Sequence, residues 1–511
     1  MIDDNRILIV GAGPVGLALG CFLAASRTPF RLIDAKDGIG TESRALGIHA
    51  RTLEIMQSLG LADDLIKAGR ITRFMTFHDH NTALFSLDFD ILKDDTQFPY
   101  YLIVPQCETE AILFKKLQDL GGDVEWGTSL RSIEDGDDFV NAHFEGESLR
   151  YPYAIGCDGA SSIVRKSLGI AFSGETYEAQ FLLSEVRIAD DRLPTDATHV
   201  IMTRESVLAA IPLPDGSYRL VGPDSLSSNE IQPGATITFD AFADFLKRNK
   251  LFPGTQFHDP SRVVSYRMQK RVADAFMGKR ALLAGDAAHI HSPAGGQGMN
   301  MGIQDAANLA WKLSIAFRRP NDHLLKSYAE ERRVIANSVA AGTDKALRMM
   351  AAPSLALRLA MRVVAPLALK LRQPHKLIHG MAQLGISYVQ DDPRSVGSRV
   401  PLIKLANGGD IFDLLKPGKP LIVHLNGDNI TPLPYKKALM QAALVDNHFF
   451  RADPEDKTTL SHYPVTHSEL AKLPKAARIL VRPDGYIAAI DETSSTQNTM
   501  KCLTNWGLQR G

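Results

Sequence analysis

The residues whose types and spacing could do chemistry cluster between Arg280 and Leu313. An apolar strand from Ala281 to Ala284 stops at Gly285-Asp286. A loop follows with Pro293 and Gly295-Gly296-Gln297-Gly298, and a helix opens near Met299-Asn300. Ile303, Ala306, Ala307 and Ala310 recur at helical spacing beyond it. Glycines let a flat ligand lie against the backbone. A helix that starts straight after such a loop aims unpaired N–H groups and a positive dipole end at the ligand. An ionised Asp286 can only accept hydrogen bonds, which suits a chain of hydroxyls. A reduced flavin presents both partners, a ribityl chain and a ring whose N1–C2=O edge becomes anionic.

The elements that must position this loop begin at the N-terminus. Residues 7–10 (ILIV) read as a strand covered on both faces. Gly11, Gly13 and Gly16 follow as G-x-G-x-x-G, with Pro14 suited to a first helical turn. A small-residue helix runs to about Ala25, and a second strand, Phe30 to Ile33, ends at Asp34. That order places a pyrophosphate at the helix N-terminus and a ribose hydroxyl on Asp34. Arg44 can bring a bidentate fork to a phosphate. Arg51 reads as a helix-surface ion pair with Glu54, and His49 as structural. Gln106, at a helix start, either caps that helix or bonds a phosphate or ribityl group. A further strand ends at Cys157, where Asp158-Gly159 turn the chain towards the cofactor crevice. His289 and His291 stand near Asp286, but the loop is glycine-rich and its sequence offers no nearby carboxylate to orient them, so no metal is expected.

At 511 residues the chain has room for two to four domains. Apolar content of 45% and charged content of 23% are ordinary for a soluble globular protein. A net charge of −1 gives no reason to expect nucleic acid or membrane as a partner. Four scattered cysteines without a C-x-x-C pair fit a reducing, cytoplasmic setting. Between about 172 and 270, alternating segments separated by turn signals such as Pro214-Asp215-Gly216 predict an antiparallel sheet inserted into the nucleotide fold. Arg204, Tyr218 and Arg219 in that sheet read as solvated. Helix is expected from Leu324 to Met350 and on to about Leu384, interrupted at Pro366. From Arg399 a small α/β unit begins, with a strand at Leu421 to Leu425, a helix at Lys436 to Val445, and a hairpin across Arg482 to Gly485.

The glycine triplet, Cys157-Asp158-Gly159 and the run GDAAHIHSPAGGQGMNMGIQDAANLAWKL together resemble the single-component, class A FAD-dependent aromatic hydroxylases of the para-hydroxybenzoate hydroxylase fold. The resemblance implies a doubly wound FAD-binding domain (1–172 and 271–395, with 72–102 lent to the substrate domain) interleaved with an antiparallel substrate sheet (173–270). The part from 399 to 511 resembles the thioredoxin-like domain of phenol hydroxylase, which often stands at a dimer contact and leaves a homodimer open. Gly11, Gly13, Gly16 and Asp34 would hold the ADP half of FAD, with Arg44 and Gln106 near its phosphates and ribityl chain. Asp286 would bind the ribityl hydroxyls, and backbone N–H groups at Gly298, Met299 and Asn300 would face the ring. Asp158 would serve FAD and NAD(P)H, and Pro293 would sit beside the ring at the substrate. The implied activity is NADH- or NADPH-dependent hydroxylation of a small aromatic substrate with O2 through a flavin C4a-hydroperoxide. In phenol hydroxylase an acid follows the counterpart of Arg44. Here Ala45-Leu46-Gly47-Ile48 stands instead and points towards larger polycyclic phenols. Baeyer–Villiger or epoxidising oxygenases, antibiotic-modifying monooxygenases and a non-catalytic FAD-binding protein share the same motifs.

Overall fold

The computed structural model describes residues 2–41, 45–188, 193–203, 207–223, 236–248, 251, 257–260, 263–291, 295–351, 359–371, 374–389, 395–406, 408–425, 433, 439–446, 461–474, 478–491 and 496–508. Four short parallel strands form the nucleotide-binding sheet in the spatial order Ala281–Leu283, Ala154–Gly156, Ile7–Val10, Phe30–Ile33. Three segments remote in sequence thus deliver their C-terminal ends to one edge. Ile7, Leu8 and Ile9 are wholly buried, as a strand covered on both faces must be. Helix Pro14–Ala25 packs between this sheet and helix Gln297–Arg318.

Between Ala154–Gly156 and Ala281–Leu283 the chain leaves to build most of a large, mainly antiparallel sheet. Its strands Phe172–Ile188 and Val263–Ala273 pair along much of their length. Phe74–Asp79 and Thr82–Asp88 close one edge, joined in parallel to Ala197–Met202. One face buries Leu182, Ile201, Leu208 and Leu220 against helix Phe239–Arg248. On the other, Ile211, Met75 and Phe77 pack on the core of the nucleotide fold. Alternation puts Arg219, paired in register with Ile211, on that second face.

The C-terminal part makes a five-stranded sheet in the order 461–465, 440–446, 421–425, 478–481, 487–491. Residues 440–446 correct an expectation: Met440–Asp446 is a strand, although Lys436 to Val445 reads as helix. Its Ala, Leu and Met residues favour helix locally, yet parallel partners on both sides, Leu421–Leu425 and Ser461–Val465, supply a ladder that overrides propensity. The interruption at Pro366 takes the form of a π-helical turn, Ala360–Val364, running into helix Ala365–Leu371. Among the described residues no helix is long and apolar enough to cross a membrane.

Candidate FAD site

The three glycines of the first turn have three different physical reasons. Gly11 sits at φ +101°, and a Cβ there would stand 2.5 Å from the Cys157 carbonyl oxygen. A Cβ at Gly16 would overlap the Gly11 carbonyl, so only glycine lets the helix press on the turn. A Cβ at Gly13 would meet nothing within 4 Å. Gly11 and Gly16 are therefore demanded by packing, whereas Gly13 keeps open space where a pyrophosphate could approach the backbone. No side chain caps the helix that starts there. Asp34 ends its strand beside this turn and accepts from the backbone N–H groups of Ala12 (2.7 Å) and Lys36 (2.9 Å). A carboxylate has about four acceptor sites, so capacity remains for a ribose hydroxyl.

Asp158 reaches the same place from the second strand end. Its Oδ2 accepts from Ile163 N (2.7 Å) and Val164 N (3.2 Å), whereas Oδ1 is buried with no hydrogen-bond partner among the described residues. Burial raises its pKa. An orphaned buried acceptor is costly, and a polar ligand in the crevice would relieve it.

The third segment locks onto the first helix. Gly285 (φ +61°) and Gly302 both abut Val15, and an added Cβ at either would stand 2.7 Å or 2.5 Å from Val15 Cγ2. Asp286 follows at an exposed position. Helix Gln297–Arg318 then begins at Gly296 (φ +63°) with no side-chain cap, so the dipole end at Gly298, Met299 and Asn300 faces the loop. The Asn300 side chain has its own task. It accepts from His49 N (2.9 Å) and donates to the carbonyls of Gly47 (2.8 Å) and Gly296 (2.8 Å). His49 is structural, as its sequence context suggests: Nε2 donates to Gly295 O (2.8 Å) and the ring stacks on Tyr101. Burial pushes it down to about 4, which keeps it neutral at pH 7.

His289 contradicts the expectation that no carboxylate stands near. Its Nε2 lies 2.6 Å from Asp305, which also accepts from Arg332 Nε (2.6 Å) and Gly285 N (3.0 Å). Burial opposes ionisation of Asp305, but His289 and Arg332 outweigh it and hold the acid at about 2. This network fixes Gly285 and hence the loop bearing Asp286. Neither Asp305 nor Arg332 carries a local signal; they meet because helices Gln297–Arg318 and Asp322–Ala351 pack together.

Other expectations change too. Gln106 does not cap its helix, which opens at Pro105 without a side-chain cap; it accepts from Ala45 N (3.1 Å) and donates to Glu110 (2.8 Å). Its amide tethers the segment that follows Arg44. Arg44, Pro293 and Arg204 lie outside the described residues. Arg219 and Tyr218 are buried, not solvated: Arg219 is 4% exposed and pairs with Glu185 (Nη2–Oε1 2.5 Å), and Tyr218 bonds Leu193 O. Arg51 does pair with Glu54 (3.0 Å), but the pair is buried against the C-terminal part, not at a helix surface.

A flat dinucleotide with a polyol linker fits these residues, given the open cradle at Gly13, the orphaned Asp158 oxygen and two uncapped helix starts on one crevice. Comparison with known proteins agrees. The family model described as "FAD binding domain" matches residues 4–343. 6-Methylpretetramide 4-monooxygenase of Streptomyces rimosus is 32% identical, over 97% of this chain and 92% of its own. Rifampicin monooxygenase of Rhodococcus hoagii is 30% identical over 98% of both. The solved structure of OxyS anhydrotetracycline hydroxylase from Streptomyces rimosus superposes with a TM-score of 0.76 at 27% identity, covering 99% of both chains. The chain belongs to the FAD binding domain family, among the class A FAD-dependent aromatic hydroxylases, and is a flavoprotein monooxygenase.

Proposed function

We propose that the protein hydroxylates a polycyclic phenol with NADH or NADPH and O2. FAD, when bound, supplies electron transfer from the nicotinamide and activation of dioxygen. The chain's own residues bind, orient and seclude. Gly11, Gly13, Gly16 and Asp34 take the ADP half, and Arg44 and Gln106 flank the phosphates and ribityl chain. Asp286 accepts from the ribityl hydroxyls. The N–H groups of Gly298, Met299 and Asn300 stabilise negative charge on the ring edge, an electrostatic contribution that requires no reorganisation. Asp158 serves FAD and NAD(P)H, and Pro293 borders the substrate. The second face of the large sheet, with Ile211, Met75, Phe77 and the Arg219–Glu185 pair, roofs the crevice and excludes water.

The observation that carries this reading is the convergence of three strand ends, locked by Gly11 on Cys157 and by Gly285 and Gly302 on Val15. We further propose the division into 1–172 with 271–395 for FAD, with 72–102 contributing to the substrate domain, 173–270 for substrate, and 399–511 as a thioredoxin-like unit without C-x-x-C. The four separate free cysteines favour the cytoplasm. The deciding experiment measures NAD(P)H consumption against a panel of mono- and polycyclic phenols, with labelled dioxygen to locate the inserted oxygen. Stimulation by polycyclic phenols and one labelled ring hydroxyl are expected. Absence of stimulation by any aromatic overturns the substrate class. A second reading, the same chemistry on a finished antibiotic, is favoured by the rifampicin monooxygenase relative. Including ansamycins and tetracyclines in the panel separates the two, and an ester or lactone product would indicate Baeyer–Villiger chemistry.

A further inference from the structure

The two faces of the large sheet are finished differently. On the face under helix Phe239–Arg248, Leu182, Leu208, Ala210 and Leu220 are wholly buried. On the face that roofs the crevice, the strand registers set side chains in rows. One row runs Leu183, Val221, Ala209, Val200, Phe77, and every member is half-buried. Apolar side chains left half-open on an inner face make a platform for an apolar ring system. Five strands at a spacing of about 4.8 Å make that row about 19 Å long, more than a single aromatic ring needs. The neighbouring row begins Glu185, Arg219, Ile211 and brings charge to the roof. Arg219 Nε and Nη2 both donate to Glu185 Oε1 (3.0 and 2.5 Å). The arginine side chain is 5% exposed and the glutamate 35%, so the guanidinium is fixed while the carboxylate keeps an open side. The hairpin beside this row is stitched to the cofactor loop. Arg70 donates to Leu213 O (2.8 Å) and Pro214 O (3.2 Å), and its strand Arg70–Thr72 pairs with Tyr101–Ile103, which pairs with Gly47–Ile48. Gly47 O in turn accepts from Asn300 (2.8 Å), at the start of the helix that follows the glycine loop.

Setting an ion pair into an apolar roof costs both ions their water, and hydrophobic side chains of similar volume would pack as well or better. What the pair adds is a fixed donor beside a fixed acceptor. A guanidinium carries five donors and a carboxylate about four acceptor sites, more than the two consume on each other. A substrate hydroxyl can donate to Glu185 while an adjacent carbonyl accepts from Arg219. A substrate carboxylate fits badly. It can only accept, and it would set two anions around one arginine in a site of low dielectric. The other cation on this face of strand Phe172–Ile188 is Arg187. It stands at the exposed rim between Asp215 (3.6 Å) and Asp259 (3.5 Å) and supplies no spare positive charge.

We propose that the Arg219–Glu185 pair sets substrate specificity: it accepts polycyclic aromatics that present a hydroxyl next to a carbonyl and rejects those that present a carboxylate. This rests on the reading of the crevice as a hydroxylation site and narrows its substrate class. The test titrates the full-length, FAD-loaded protein with 1,8-dihydroxyanthraquinone and with its 3-carboxylate, followed by flavin fluorescence, and measures NAD(P)H consumption with each in parallel. The wild-type protein is expected to bind the neutral compound about tenfold more tightly, or better. Glu185→Gln leaves the arginine without its anion and should shift that ratio about tenfold towards the carboxylate. The double substitution Glu185→Met with Arg219→Met replaces both ions by apolar groups and keeps the test open if the single variant misfolds. It should weaken binding of the dihydroxy compound about tenfold and leave unsubstituted anthraquinone unchanged. Melting temperature and FAD content, recorded for each variant, show whether the roof has kept its fold. Equal or absent binding of the two hydroxylated compounds by the wild-type protein overturns the proposal. So does a ratio that Glu185→Gln leaves unaltered, or unchanged affinity of the folded double variant for the dihydroxy compound. Selective binding without NAD(P)H consumption would instead remove the hydroxylation reading and leave the pair as the selector of a bound aromatic.

Discussion

The crevice at Gly11 and the seam where the C-terminal part meets the nucleotide fold are both polar and buried, yet they are built on opposite rules. Along the seam carboxylates of one part meet basic side chains of the other. Glu54 holds Arg51 (3.0 Å) and Arg399 (Nε 2.8 Å), and Glu331 holds Lys312 (2.9 Å) and Arg482 (2.8 Å), which also grips Asp484 (2.6 Å). Burial alone would raise Glu331, but Arg482 and Lys312 hold it down at about 2. In the crevice, backbone geometry does the joining, while an Asp158 oxygen and two helix starts keep capacity in hand. The seam also leaves Arg51 Nε, Trp311 Nε1 and Tyr486 Oη without hydrogen-bond partners among the described residues, so what sets it apart is its network of ion pairs and not complete hydrogen bonding.

The sharpest way to break the comparison is at the seam. Glu331→Ala leaves Lys312 buried without its anion and Arg482 with Asp484 alone, and should cost about 3–5 kcal/mol in a denaturant melt, with FAD affinity of the folded fraction unchanged. Equal losses of stability and FAD affinity would show that the two regions are not separable. Gly16→Ala forces the helix off the turn and should cost about 3 kcal/mol, here with loss of FAD from the purified protein. Asp286→Ala should leave the melting curve of the apoprotein nearly unmoved and weaken FAD binding by about 1.5–3 kcal/mol, read by flavin fluorescence titration. Retention of full affinity would remove Asp286 from the ribityl site.

The smallest effect is in pH. His49 is depressed by burial from 6.5 to about 4, so the unfolded chain takes up its proton first as pH falls. Its contribution is complete above pH 6.5 and is lost between there and about pH 4, at about 1.4 kcal/mol per pH unit. His49→Gln, which can still donate to Gly295 O, should flatten that acid limb of stability and of FAD retention. An unchanged acid limb would mean that other buried groups dominate it.

Short-range features were legible in the chain. Helix Pro14–Ala25 and strand Phe30–Ile33 fall where the glycine turn, Pro14 and the apolar run place them. So do the hairpin across Arg482 to Gly485 and the sheet inserted after residue 172. Residues whose meaning depends on a distant partner were not. Arg219 in an alternating strand looks like any solvated arginine until Glu185 and the nucleotide core cover it. The Arg51–Glu54 spacing predicts the pair but not its burial beneath Asp484 and Phe412. Met440–Asp446 carries helical composition and is a strand because two parallel neighbours claim its backbone.

By itself, the order of residues determined where the chain must turn and what each turn leaves open. A glycine at positive φ, an uncapped helix start and an acid at a strand end are properties of a few neighbouring residues, and sterics enforces them wherever they occur. Tertiary structure alone decided which acid meets which base: Asp305 with His289 and Arg332, Glu331 with Arg482, Glu54 with Arg399. Such pairs depend on packing that brings remote segments within 3 Å, and no local energy records that choice.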